Sequence, residues 1–154
     1  MSDWRLAVKT RYWLALVTCL AIASAAVWLG LFFESNQRHT DFCSATRAEL
    51  ETLANKRPPS LTPKQWDNVV VSTINAHGNT LPMMRPIPLF MKRRIPRAEM
   101  DRFQAELRQR LSGPVDLATI DWIWDEFERL APDFGPKYSR KYRPTTPEKL
   151  REFE

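Results

Sequence analysis

The chain opens with a long apolar run. From Tyr12 to Phe33, 22 consecutive residues carry no charge. At about 1.5 Å per helical residue they reach about 33 Å, enough to cross a hydrocarbon core of about 30 Å. Tyr12 and Trp13 stand at one end and Trp28, Phe32 and Phe33 at the other, where amphipathic rings favour the interface. The pattern predicts a single transmembrane helix over 12–33. A cleaved signal peptide is the rival reading: Arg5, Lys9 and Arg11 suit its basic start, and Ala23-Ser24-Ala25 its cleavage site. The apolar run continues past that site to Phe33, which favours an uncleaved anchor. A lipoprotein signal around Cys19 fails because the apolar stretch before it is too short.

Beyond the anchor, residues 34–56 are polar but hold no Gly or Pro, so the helix can continue outward on a weak stripe of Phe42, Ala45, Leu50 and Leu53. Pro58 and Pro59 stop it. The next helix has a strong start. Thr62 is its N-cap, Pro63 its first residue, Gln65 completes a capping box, and Leu61 and Trp66 form a hydrophobic staple. Trp66, Val69, Val70, Thr73, Ile74 and His77 share an arc, and Gly78 is the expected stop. Residues 79–96 contain Pro82, Pro86, Pro88 and Pro96, which forbid regular helix, yet are rich in Leu and Met. A loop that apolar is expected to fold back over the core, the alternative being contact with a membrane or partner.

Met100, Phe103, Leu107 and Leu111 stripe a helix from Arg97 to about Leu111, ended by Gly113-Pro114. Asp116 caps the following helix, which runs to about Leu130 with Val115 and Ile120 as a second staple. Leu117, Ile120, Ile123, Trp124, Phe127 and Leu130 face one way. Trp122 lies about 160° from the centre of that stripe. Either a tail carrying Phe134, Tyr138 and Tyr142 folds over it, as the turns at Pro132 and Pro136 suggest, or it is an exposed anchor for a partner, a role in which Trp is enriched. Thr146-Pro147-Glu148 opens a last turn.

No segment alternates with a strand's period of two, and no repeat recurs. The expected fold is therefore all-α: a single N-terminal transmembrane helix followed by a small helical bundle with a Pro/Met-rich loop. Its parts are a cytoplasmic tail over 1–11, the membrane helix over 12–33, a membrane-proximal helix and linker over 34–60, a helical domain over 61–133, and a basic, aromatic tail over 134–154.

Charge sets the orientation. Arg5, Lys9 and Arg11 precede the anchor, while Arg38 and Arg47 on the other flank are diluted by Glu34, Asp41, Glu49 and Glu51. The positive-inside rule then puts the N-terminus in the cytoplasm of a bacterial-type inner membrane and exports the C-terminal domain. One face of the anchor is small throughout: Ala15, Cys19, Ala23, Ala26 and Gly30. Small residues in register let membrane helices approach closely, which suggests a homodimer, although such patterns are abundant in membrane helices.

Composition removes most chemistry. Two Cys and two His are too few for a Cys-rich zinc module or a disulfide framework. His77 reads as a structural histidine, with no Cys close in sequence and His39 beside the membrane; no metal ligand set is assigned. Asp121, Asp125, Glu126 and Glu128 read as a solvated face rather than an acid–base pair. Ser60, Ser72 and Ser112 lack a nucleophile-elbow context. No catalytic or cofactor-binding residue is assigned, and no cofactor is expected. Cys43 is the only Cys outside the bilayer and could cross-link two chains or simply be buried.

Two basic clusters remain as candidate surfaces. One is Lys92, Arg93 and Arg94; the other is Tyr138, Arg140, Lys141 and Tyr142, joined by Lys137 and Arg143. Basic residues interleaved with aromatics suit phosphate and stacking contacts. From Glu34 onward 20 basic residues face 17 acidic ones, so the domain is only weakly basic. Nucleic acid is out of reach of an exported domain, so an ordinary solvated surface is the first reading of these clusters and anionic headgroups are their natural partner. The expected role is a non-enzymatic scaffold or accessory subunit of a membrane complex, with the bilayer as its first partner. The alternative is a tethered binding module whose loop 81–91 and basic tail hold a peptide, a ligand or lipid headgroups.

Overall fold

The computed structural model describes the backbone of residues 3–85 and 94–152, and the side chains of 11–85 and 94–152. Helix accounts for 81% of the structure, with no strand among the described residues. The first helix, α1 (Asp3–Glu51), is followed by a 3-10 turn (Thr52–Asn55). Then come α2 (Pro63–Thr80), a second 3-10 turn (Leu81–Met84), α3 (Arg97–Leu111), α4 (Leu117–Leu130), α5 (Gly135–Tyr142) and α6 (Pro147–Arg151). By packing, the chain divides into residues 1–37 and residues 38–154.

In the first unit α1 is, among the described residues, the helix long and apolar enough to cross a membrane, and none of its apolar stretch is buried. Tyr12 is 73% exposed and Trp13 66%, against the near-complete burial that a soluble core helix would show. The hydroxyl of Thr18 donates to the Leu14 carbonyl at 2.8 Å. A polar side chain is thereby satisfied within its own helix, as an apolar surrounding requires.

The second unit begins in the last turns of α1. His39, Phe42, Thr46 and Leu50, then Leu53, are buried at spacings of three or four. The stripe is stronger than its sequence suggests because two of its members are polar. The capping box at the start of α2 is complete: Gln65 N–H donates to Thr62 Oγ1 at 3.3 Å, and Thr62 N–H to Gln65 Oε1 at 2.9 Å. Leu61 and Trp66 are both buried. The Trp66 indole N–H donates to the Leu53 carbonyl at 2.9 Å, tying α2 to the end of α1.

The expected stop at Gly78 does not occur. No described glycine has positive φ, so the left-handed cap that glycine favours is not used there. The helix runs on to Thr80, whose hydroxyl donates to the Ala76 carbonyl at 2.7 Å. Pro82 then starts a 3-10 turn, where its missing N–H costs nothing, and Leu81 and Met84 are buried. That turn corrects the expectation of an irregular segment over its first residues. Residues 86–93 of the Pro/Met-rich loop, including Lys92 and Arg93, lie outside the described residues.

In α3, Met100, Phe103, Leu107 and Leu111 are all buried. Asp116 caps α4 by accepting from Thr119 N–H at 2.7 Å, and Ile120, Ile123, Trp124, Phe127 and Leu130 enter the core. After Ala131 the chain turns back. Gly135 lies so close to α4 that a Cβ there would meet Glu128 Cα at 2.5 Å and the Phe127 carbonyl oxygen at 2.7 Å. Only glycine lets α5 lie this near. Gln65 Nε2 donates to the Leu150 carbonyl at 3.1 Å, so α6 docks at the start of α2. Residues 38–53 and the tail helices thus share one core with residues 61–133.

Candidate functional site

Of the candidate surface residues, Trp122 lies on α4 and Tyr138 packs against that helix. Trp122 and Trp124 are two residues apart and so leave the helix on different sides. The Trp124 side chain is 1% exposed. Its indole N–H donates to Thr73 Oγ1 at 3.1 Å, and that hydroxyl in turn donates to the Val69 carbonyl at 2.8 Å. Its ring stacks on Tyr138 at 6.2 Å between centroids, 22° from parallel.

Trp122 has a neighbour that the sequence pattern does not point to. Its ring stacks on Phe103 of α3 at 5.7 Å and 19°, and the Arg110 guanidinium lies 4.4 Å from its centroid. Two of the tail aromatics turn elsewhere: Tyr138 stacks on Trp124, and Tyr142 packs against Tyr138 at 4.6 Å. Angular position shows which way a side chain leaves its helix, but not which neighbouring helix occupies that side. Trp122 stays half-buried.

The acidic run on α4 is not a uniformly solvated face. Glu126 is 8% exposed and accepts from Arg102 Nη2 and from Arg129 Nη2, each at 2.8 Å. Arg129 also pairs with Glu99 and holds that carboxyl below its usual range. Asp121 and Asp125 both accept from Arg143, at 2.9 and 2.8 Å. Arg143 belongs to the basic tail in sequence, yet in space it clamps α4 to the segment after α5. Apart from Arg129–Glu126, which is an i, i+3 pair, these ion pairs were not foreseen, because their partners lie more than fifteen positions apart.

The rest of the tail sorts by helical period. Tyr138 and Ser139 face inward from α5, whereas Lys137, Arg140 and Lys141 are exposed. The interleaved basic and aromatic residues therefore separate onto two faces. Tyr142, 43% exposed at the end of α5, keeps one basic neighbour, with Lys141 Nζ 5.0 Å from its ring. From the other cluster, Arg94 is exposed.

Two histidines distant in sequence come together. His39 Nε2 lies 3.6 Å from Cys43 Sγ, and the Cys43 carbonyl interacts with the His77 ring. This corrects the expectation that His77 has neither a Cys nor His39 nearby. Burial lowers the pKa of His39 and pushes that of His77 down to about 4, with Arg85 and Arg47 nearby acting the same way. Burial pushes the Cys43 thiol up to about 11, which suppresses the thiolate needed for cross-linking. A pocket of about 330 Å³, lined by His39, Thr40, Cys43, Ser44, Pro82 and Arg85, opens beside this cluster. Among the described residues, no group of three or more His, Cys, Asp or Glu is placed to hold a metal ion.

On α1 the small residues Ala15, Cys19, Ala23, Ala26 and Gly30 are all exposed, and a Cβ at Gly30 would meet nothing within 4 Å. No protein-family model, curated protein or solved structure matches this chain.

Proposed function

We propose that this chain is a single-pass membrane protein that presents a small helical bundle on the exported side of a bacterial-type inner membrane. Its role in this reading is a non-enzymatic scaffold or accessory subunit of a membrane assembly. The observation that carries it is the contrast within α1. The uncharged run from Tyr12 is laid bare, while Phe42 and Leu50 of the same helix are buried in the domain core. An apolar surface of that length has no stable place in water. Orientation rests on Arg5, Lys9 and Arg11 before the anchor, and the exposed small-residue face offers a place where two anchors could pair.

Two measurements test the reading. A reporter active only outside the cytoplasm, fused after Glu154, is expected to be active; activity only from a cytoplasmic reporter at that position overturns the topology. Purification in mild detergent is expected to yield stoichiometric membrane partners. A lone monomer that binds a peptide through residues 81–91 would replace the subunit by the binding module.

A further inference from the structure

The outer face of α5 concentrates positive charge. Lys137, Arg140 and Lys141 are spaced i, i+3, i+4, so they occupy an arc of about 100° on an ideal helix. All three are exposed, and among the described residues none has a carboxylate within ion-pair distance. Many cations of the domain are paired instead: Arg102 and Arg129 with Glu126, Arg108 with Glu49, Arg110 with Glu106 and Arg143 with Asp121. Like charges at these spacings repel and weaken a helix of only eight residues, and of the three only Lys141 has a described partner, the Tyr142 side chain, which is no carboxylate. The opposite face is fixed by Gly135 against α4 and by Tyr138 against Trp124, so the three bases are held outward on a rigid element.

We propose that this face docks on the anionic phospholipid headgroups of the membrane that anchors the chain. The proposal rests on the anchor reading but not on which side the domain occupies, since a leaflet containing phosphatidylglycerol on either side would serve. Two observations choose a membrane over another anionic partner. The apolar run ends at Phe33 and the second unit begins at Arg38, so the domain is tethered within a few residues of the headgroups. The three bases share one outward face while Tyr138 packs inward on Trp124 and the Tyr142 ring is already occupied by Tyr138 and Lys141, which suits a diffuse anionic surface better than base stacking.

The test uses the full chain in lipid nanodiscs of pure phosphatidylcholine and of phosphatidylcholine with phosphatidylglycerol. Amine acetylation at single lysines is read by mass spectrometry. Lys64, exposed at the start of α2, is the internal reference. Labelling of Lys137 and Lys141 should fall several-fold relative to Lys64 in the anionic discs and recover in high salt. Each base near an anionic surface multiplies the docked population by roughly fivefold, so Arg140→Gln should weaken the protection by about that factor. Equal labelling in both discs overturns docking, as does an equal response at Lys64, which would show only a general surface effect. A chain that does not enter the discs overturns the anchor reading, and with it this one.

Discussion

Trp122 and Trp124 sit on the same helix, yet they are held in different ways. Trp124 is almost fully enclosed, with its indole N–H bonded to Thr73 and its ring against Tyr138. Trp122 is half-buried, and its ring meets the Phe103 ring of α3 and the Arg110 guanidinium. The first is held by packing and a buried hydrogen bond. The second is held by stacking and a cation that solvent can screen. Two residues of separation decide which neighbouring helix each one reads, and so how much of the fold depends on it.

The sharpest test of this contrast is truncation. Trp124→Ala leaves a cavity and removes the indole hydrogen bond to Thr73, and should cost about 3–5 kcal/mol in chemical denaturation. A loss below about 1 kcal/mol would mean that α5 collapses into the space, and that the Tyr138 stack is not a rigid contact.

Acid should separate the two sides next. His77 lies one helical turn from Thr73 on α2, on the side that holds Trp124, and its ring is 6.2 Å from Phe127. Because burial lowers its folded pKa to about 4, the unfolded chain takes up the proton first. The stabilising contribution is present above the ordinary histidine value near 6.5 and is lost as pH falls toward 4, on the order of 3 kcal/mol in all. His39, also lowered by burial, acts in the same direction. The indole resonance of Trp124 should respond over this range before that of Trp122, and His77→Gln should flatten the response. Simultaneous loss of both signals in the variant and the parent alike would remove His77 as the cause.

The smallest effect belongs to Trp122 itself. Trp122→Ala should cost about 1–2 kcal/mol, from partial burial, one stack and one cation–π contact. It should also abolish most of the salt sensitivity contributed by Arg110. A cost equal to that of Trp124→Ala would erase the distinction between the two sides.

Much of this fold can be read from spacing. The stripes of α3 and α4, the capping box at Thr62 and the cap at Asp116 are local patterns whose period or side-chain chemistry identifies them. The end of α1 is less legible because His39 and Thr46 occupy core positions in an otherwise apolar stripe. The extension of α2 past Gly78 is hidden because glycine permits a stop without requiring one. For the candidate surface, helical period applied to α5 would have separated Lys137, Arg140 and Lys141 from Tyr138. Arg143 could not be separated that way, because its three acidic partners come from another helix. The meeting of His39 and Cys43 with His77 is likewise a tertiary fact, invisible in any single helix.

Gly135 constrains how this sequence can diverge. At Gly78 and Gly113 a methyl group would meet nothing within 4 Å, so descendants of this chain can replace either without disturbing a neighbour. At position 135 the obstacle is the backbone of α4 itself, which no change of rotamer relieves. A lineage that lost this glycine would have to move α5 outward, and with it the Tyr138 ring and the three exposed bases. Position 135 should therefore stay fixed while the surface residues around it drift, and a related sequence with a larger residue there should show compensating changes at Trp124 and Tyr138.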